Sequence, residues 1–200
     1  MGPLRYFDSQ GAAYSPSRGL RRLFIGKERR AVLAVLEPKK GEMILDAGCG
    51  NGFYTKLIEE SGAHAYGVDS SPSMIAELRG RGLRGRVADL LTLDLGRTFD
   101  KVLCSGALEF IPEPARALKR MLVHLNPGGK LVVLAPRSSI GGIAYATFHR
   151  LHGVRVHLFS RRAFMAMLEG SGAEVGRCVN AHSIALVIEI SKRPRPRPLL

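Results

Sequence analysis

Short apolar runs and stretches of helical periodicity alternate along most of the chain. Three of the apolar runs end at a carboxylate, at Asp46, Asp69 and Asp89. Between and after these runs, apolar residues recur at three- and four-residue spacing, which is typical of helices with one buried face. This alternation of strands and helices predicts an α/β fold with a mostly parallel sheet and helices on both of its faces.

The same patterns predict the remaining helices and strands. Near the N-terminus they predict one helix that Gly26 interrupts and a second that begins at about Lys27. A later helix is expected to end at the turn residues 126–129, and Ser160 is a natural cap for another. Four further strands are expected at residues 99–104, 130–135, 173–179 and 183–191.

The first carboxylate opens a glycine-rich loop, in which Gly48, Gly50 and Gly52 alternate after Asp46. Glycine allows a sharp backbone turn and lets a ligand approach where a Cβ would intrude. A strand, this loop and a helix therefore predict a nucleotide site. The spacing is Gly-x-Gly-x-Gly rather than the Gly-x-Gly-x-x-Gly of dinucleotide binders, and no Gly-Lys-Ser/Thr of a P-loop follows. Because parallel strands end at one edge of the sheet, Asp69 and Asp89 are expected beside Asp46.

Five short motifs follow one another in order. They are DAGCGNG at residues 46–52, GVDSSPSM at 67–74, ADL at 88–90, FDKVLCS at 99–105 and LNPGGKL at 125–131. In these motifs the chain resembles the class I S-adenosylmethionine-dependent methyltransferases, over roughly residues 40–190. The resemblance implies a Rossmann-like, doubly wound, mostly parallel sheet of seven strands with an antiparallel last strand. It also implies that S-adenosylmethionine is the cofactor and S-adenosylhomocysteine the product.

The resemblance assigns roles around the glycine loop. It implies that the loop contacts the methionine part of the cofactor, that Asp69 binds the ribose hydroxyls, and that Asp89 and Leu90 flank the adenine. The expected cofactor-binding residues are Asp46, Gly48, Cys49, Gly50, Asp69, Ser70, Met74, Asp89, Leu90 and Ser105.

Length and composition indicate the number of domains and the cellular compartment of the protein. A length of 200 residues with 46% hydrophobic residues suits one globular domain. Cys49, Cys104 and Cys178 show neither metal-ligand spacing nor a disulfide framework, which predicts a reducing compartment and no metal site. No apolar run approaches the roughly 20 residues of a membrane span, and the N-terminus lacks a signal peptide. We therefore expect a cytoplasmic protein, at most peripheral to the inner membrane face.

The formal net charge of +13 has several explanations. Arginines concentrate in the first 30 residues, at 79–86, at 150–162 and in the tail. A basic surface favours nucleic acid, anionic lipid or an acidic small molecule. Arginine-rich solvated faces without a partner explain the charge equally well. For residues 79–86, which lie between a helix and a strand, a solvated loop is the preferred interpretation.

The chain is expected to divide into three parts. Residues 1–40 would form an N-terminal arm and helices that cover the cofactor site, residues 41–191 the cofactor-binding domain, and residues 192–200 a disordered basic tail. Within the domain, the insert at residues 138–159 combines an apolar helical stripe with nearby arginines. It predicts a lid over the acceptor or a contact with an anionic membrane surface. An amphipathic helix that only packs on the domain explains the pattern equally well. The expected acceptor-pocket residues are Tyr14, Glu109, His152 and His157.

Two motifs that the chain lacks argue against some classes of methyl acceptor. After the fourth strand the chain has neither the Asn/Asp-Pro-Pro-aromatic loop of base-amine and glutamine methylases nor the Pro-Cys nucleophile of cytosine-C5 enzymes. Methyl transfer from a sulfonium needs mainly in-line positioning, and a base only when the acceptor loses a proton. Glu109, His149, His152 and His157 are candidate bases, and the sequence assigns none of them as catalytic.

We therefore predict a methyltransferase that acts on a small-molecule or lipid-like acceptor. Three alternatives remain open at the level of sequence. They are an RNA methyltransferase of the same fold, a nicotinamide-dependent oxidoreductase, and a regulatory protein that binds the cofactor without turnover.

Overall fold

The computed structural model describes residues 21–192, which contain one sheet of seven strands. In chain order the strands are β1 (Met43–Ala47), β2 (His64–Asp69), β3 (Gly85–Val87), β4 (Phe99–Ser105), β5 (Leu125–Pro136), β6 (Ala173–Asn180) and β7 (Ala185–Lys192). Their spatial order is β3-β2-β1-β4-β5-β7-β6. All pairs among the first five strands are parallel, whereas β7 runs antiparallel to both β5 and β6. The seven-stranded, mostly parallel sheet with an antiparallel last strand is confirmed.

Helices cover both faces of the sheet. They are α1 (Arg21–Leu36), α2 (Phe53–Glu60), α3 (Pro72–Gly80), α4 (Pro114–Val123), α5 (Ile140–Leu151) and α6 (Arg161–Met167), and a short 3₁₀ helix spans Leu108–Phe110. Alternate residues of each central strand enter different cores, because side chains in a strand point to opposite faces. In β5, Leu131 and Val133 pack with α4 and α6, whereas Val132 packs with α1 and α2. The sheet is therefore doubly wound.

Serine side chains fix the starts of three helices. The hydroxyl oxygen of Ser71 accepts a hydrogen bond from the Met74 amide at 3.3 Å, and Pro72 occupies the first helical position. Ser139 and Ser160 accept in the same way at the starts of α5 and α6, at 3.1 and 3.2 Å. Each hydroxyl satisfies an amide that has no partner within its helix.

The first helix differs from the sequence prediction. It continues through Gly26, where the sequence predicted an interruption. A glycine in a helix interior costs only about 1 kcal/mol relative to alanine. The buried side chains of Val32, Val35 and Leu36 against the sheet outweigh this cost.

Two strand ends and the start of the tail also differ from the sequence prediction. The predicted turn at residues 126–129 lies inside β5, because a register shift opposite Phe99 absorbs the extra residues as a bulge. Strand β3 ends at Val87, two residues before Asp89. Strand β7 includes Lys192, which the sequence placed in the tail, and its ammonium group donates to the Leu125 carbonyl at 2.9 Å. Tyr14, most of the N-terminal arm and residues 193–200 lie outside the described residues.

Candidate active site

A large cavity lies at the carboxyl edge of the parallel strands. Its volume is about 900 Å³, enough for a nucleoside-sized ligand together with a second molecule. Strands β1, β2 and β4 end at its floor, and α1 and α5 contribute to its walls. Every residue expected to bind the cofactor lines it: Asp46, Gly48, Cys49, Gly50, Asp69, Ser70, Met74, Asp89, Leu90 and Ser105.

Gly48 in the glycine loop approaches a neighbouring residue too closely for a side chain. The amides of Gly48 and Cys49 both donate to the carbonyl of Val68 in β2, at 2.8 and 3.0 Å. Gly48 has a φ of 78°, and a Cβ on it would clash with the Cβ of Ala107. Glycine is therefore required at position 48 by both conformation and space. This packing brings the residues after β4 against the loop.

Asp69 is held by two backbone amides at the end of β2. One carboxylate oxygen accepts from the Gly50 amide at 2.8 Å, and the other accepts from the Ser71 amide at 2.9 Å. A carboxylate oxygen can accept more than one hydrogen bond, so these two contacts do not exclude a ligand. The carboxylate is thus oriented in advance beside the cavity, as a pair of ribose hydroxyls would require.

Asp46 is in a different environment at the end of β1. Its side chain is buried, and one oxygen accepts from the Thr55 hydroxyl at 2.7 Å. Burial raises the pKa of Asp46 to about 7, an effect that Asp69 increases and the Thr55 hydrogen bond opposes. The sequence analysis did not single out Thr55, although its position one turn into the helix after the glycine loop places it above Asp46.

The other half of the cavity is more aromatic. Phe24 and Ile25 contribute from α1, and Tyr145, Phe148 and His149 contribute from α5. Two further polar residues line it as a pair, because the ring of His182 lies 2.7 Å from a carboxylate oxygen of Glu28. Nothing in the local sequence marks this pair, since the two residues are 154 positions apart.

Among the described residues, only one of the expected acceptor-pocket residues lines the cavity. Glu109 lines the cavity and is 4% exposed. His152 and His157 are absent from the lining formed by the described residues. The exposed ring of His152 bonds to the Phe148 carbonyl at 2.8 Å, because the residue caps the end of α5. His157 donates its backbone amide to the Glu109 carbonyl at 2.9 Å, so it supports that turn from outside.

Metal-ligand groups and membrane spans are both absent from residues 21–192. No cluster of three His, Cys, Asp or Glu side chains there could hold a metal ion. Cys49, Cys104 and Cys178 are free thiols. None of the described helices has the length and apolar character needed to cross a bilayer.

The family follows from comparison of the sequence with family models. Residues 45–133, which carry the glycine loop and the carboxylates Asp46, Asp69 and Asp89, match a model described as a methyltransferase domain. The chain contains a class I S-adenosylmethionine-dependent methyltransferase domain. The family and fold that the motifs predicted are confirmed.

One curated relative of this methyltransferase domain is the ubiquinone biosynthesis O-methyltransferase of Coxiella burnetii (strain Dugway 5J108-111). It is 37% identical over 100 residues, which are 46% of this chain and 42% of the relative. The matched region thus spans less than half of the relative's length.

Solved structures share the fold of the methyltransferase domain at low identity. Magnesium protoporphyrin IX methyltransferase from Synechocystis PCC 6803, solved with S-adenosylhomocysteine, has a TM-score of 0.75 and 18% identity over 94% of this chain and 97% of that one. The [4+2]-cyclase SpnF has a TM-score of 0.71 and 16% identity over 96% and 95%. Because a cyclase shares the fold, the activity must be argued from the site itself.

Proposed function

We propose that the protein transfers a methyl group from S-adenosylmethionine to a small-molecule or lipid-like acceptor bound in this cavity. The observation that carries the proposal is the pairing of the glycine loop with the pre-oriented carboxylate of Asp69 at one end of a cavity that continues into an aromatic half. The methyltransferase domain supports the same cofactor.

The residues present suit the parts of this cofactor. The glycine loop would leave room for the methionine part, and Asp69 would accept hydrogen bonds from both ribose hydroxyls. Buried Met74 and Leu90 offer an apolar slot for the adenine, with Asp89 beside it. The cofactor supplies an activated methyl group, so the protein's main task is to align the acceptor, which is worth about 7–11 kcal/mol in favourable cases.

Two features favour a small acceptor over RNA. The aromatic half of the cavity suits a ring or an alkyl chain. The arginines of residues 79–86 are engaged locally: Arg79 donates to the Gly85 carbonyl, Arg81 pairs with Glu77, and Arg84 pairs with Glu59. Arginines that are already paired offer little to phosphates. The name of the Coxiella relative further supports oxygen as the accepting atom.

Helix α5 also supports a membrane-associated acceptor. Tyr145 and His149 line the cavity, whereas Ile140 and Leu151 are 90% and 81% exposed on the other side of the helix. Exposed Arg150, Arg155 and Arg162 form no ion pair within residues 21–192. An apolar face beside free cations suits the surface of an anionic membrane. The protein would then be cytoplasmic and peripheral to the inner membrane face.

Calorimetry with S-adenosylhomocysteine tests the cofactor assignment. Asp69→Ala should weaken binding at least tenfold, because hydrogen bonds to a charged group contribute about 1.5–3 kcal/mol. Asp94→Ala is the matched control, since Asp94 is an exposed aspartate outside the cavity lining. Equal affinity of the Asp69→Ala variant and the wild type would refute the assignment.

A labelled methyl donor tests the acceptor class. Cell extract is separated into lipid, small-molecule, RNA and protein pools before incubation with the enzyme. Label is expected in the lipid or small-molecule pool. Label confined to RNA would replace this proposal with an RNA methyltransferase.

A further inference from the structure

Glu109 lies where the two halves of the cavity meet. It belongs to the short helix Leu108–Phe110 that directly follows β4. Two residues earlier, Ala107 lies against Gly48 of the glycine loop. Phe110, the residue after Glu109, lines the aromatic half together with Tyr145 and Phe148. A carboxylate at this position borders both the cofactor loop and the space left for an acceptor.

The carboxyl group of Glu109 differs from the other carboxyl groups that line the cavity. Oxygen Oε2 is buried and has no hydrogen-bond partner among the residues described. By contrast, Asp46 accepts from Thr55, Asp69 from two backbone amides, Asp89 from the Leu91 amide and Glu28 lies against His182. A buried polar atom without a partner destabilises the fold, so such atoms in native proteins call for a ligand or a functional role.

We propose that Oε2 of Glu109 accepts the proton of a weakly acidic hydroxyl, such as that of a phenol or catechol, while that hydroxyl oxygen is methylated. The proposal rests on the methyl-transfer function proposed above and specifies its acceptor. The aromatic side chains of Phe110, Tyr145 and Phe148 would contact the ring that carries the hydroxyl.

The step balances without any further reactant. The acceptor oxygen forms a bond to the methyl carbon, and the carbon–sulfur bond breaks with its electron pair remaining on sulfur. The acceptor O–H bond breaks, and its proton passes to Glu109 and later to water. A neutral methyl ether is the product, whereas an unassisted transfer to the hydroxyl would leave a positively charged oxygen.

The basicity of Glu109 suits this role. Burial raises the pKa of Glu109 to about 8; the negative charge of Glu28 on α1 contributes to this rise, and a hydrogen bond from the Glu109 backbone opposes it. A base is most effective when its pKa lies near the working pH. The pKa of a phenol is about 10, so the proton can be transferred over a small gap. The other titratable groups around this part of the cavity are Asp46, Tyr54, Cys104, Tyr145, His149 and His182.

The kinetic test compares Glu109→Gln with Glu113→Gln, an exposed glutamate four residues later that lies outside the cavity. The probes are 4-hexylcatechol and 4-hexylaniline. On the catechol, wild-type kcat should rise with pH up to about 8 and then level. Glu109→Gln should lower kcat at least about 100-fold, remove this rise and leave KM within a few-fold. Glu113→Gln should match the wild type, and the aniline should respond little to either change.

An infrared titration of the ligand-free protein tests Glu109 without turnover. Buried Asp46 also contributes a protonated-carboxyl band at pH 6, so each variant is compared with the wild type in a difference spectrum. The wild-type minus Glu109→Gln difference should contain a protonated-carboxyl band at pH 6 that vanishes as the pH rises through about 8, and the wild-type minus Glu113→Gln difference should not. A Glu109 that is already ionised at pH 6, or a Glu109→Gln variant with wild-type kcat, would overturn the inference. Failure of the wild type to bind S-adenosylhomocysteine would instead overturn the proposed function, so the two failures are distinguishable.

Discussion

Asp46 and Asp69 end neighbouring parallel strands, but their carboxyl groups have different surroundings. Asp69 is partly exposed and accepts hydrogen bonds from two backbone amides. Asp46 is buried with one hydroxyl donor, and its pKa rises to about 7. The same residue type is thus held by two amides at one strand end and is a buried, titrating group at the next.

Replacing Asp46 with Asn should change the pH dependence of stability. The pKa of Asp46 lies at about 7 in the folded protein and at its ordinary 3.8 in the unfolded chain. Between these values the folded protein binds more protons, so wild-type stability falls as the pH rises from about 4 to about 7. The slope from this group is up to about 1.4 kcal/mol per pH unit. The Asp46→Asn variant has no titrating carboxyl group at this position, so its stability does not fall for this reason.

Urea unfolding of both proteins at several pH values measures the effect. The free energy of unfolding of Asp46→Asn, relative to wild type, should rise through this pH window and stay constant above about pH 7. Other titrating groups, including Glu109, cancel in the difference. A difference that does not change with pH would mean that Asp46 ionises normally in the folded protein.

Sequence spacing predicted the residues that line the cavity around the glycine loop, but only part of the more aromatic half. Asp46, Gly48 and Asp69 belong to short motifs at the ends of consecutive strands, and parallel topology places such ends together. Glu28 and His182 meet only through the full fold. Their contact depends on how α1 crosses the sheet, and no local pattern encodes that crossing.

At the scale of single elements, α5 is the least embedded helix around the cavity. Gly142 is its one buried residue, and Ser139 anchors its start by donating to the Ser183 carbonyl at 2.7 Å. The helix therefore combines a cavity-lining side with an exposed apolar side. Periodicity predicted an amphipathic helix here, but it could not tell which apolar residues would meet the protein.

Serine substitutions on α5 should separate membrane binding from acceptor binding. Ile143 and Phe148 are 58% and 57% exposed, so replacing both with Ser should shift Tm by only about 2 °C or less. This variant should lose binding to anionic liposomes and, because Phe148 lines the cavity, should bind the acceptor less well. Replacing Ile140 and Leu151 with Ser should weaken liposome binding alone, since neither lines the cavity.

Val123→Ser is the matched control for these variants. Val123 is 65% exposed at the end of α4, next to the start of β5 and away from α5. It should leave liposome sedimentation unchanged. A large fall in Tm for the α5 variants would identify the stripe as part of the core, and unchanged liposome binding would remove the membrane proposal.

The boundaries of elements show what local sequence leaves undetermined. A glycine within a helical pattern predicted a break at Gly26, but side chains packed beneath the helix determine its length. The Asn-Pro-Gly-Gly run predicted a turn, and the structure absorbs it as a bulge beside β4. In both places tertiary packing outweighed a local preference.

At the scale of the whole molecule, the cavity connects elements from across the chain. Its walls extend from Phe24 on α1 to Ala185 at the start of β7. A ligand that fills it contacts the folded state only, so its binding energy adds directly to global stability. Thermal unfolding can therefore report which cofactor the intact domain accepts.

S-adenosylhomocysteine should stabilise the protein selectively over NAD and NADP. At 100 times its Kd, a ligand adds about 2.7 kcal/mol, which corresponds to a Tm increase of about 5–10 °C for a domain of this size. NAD and NADP at the same concentration should produce no shift, because the Gly-x-Gly-x-Gly loop lacks the dinucleotide spacing. Asp69→Ala should reduce the S-adenosylhomocysteine shift, measured from the ligand-free Tm of the variant itself, because the variant also loses two amide hydrogen bonds. A shift with either dinucleotide and none with S-adenosylhomocysteine would contradict the cofactor assignment.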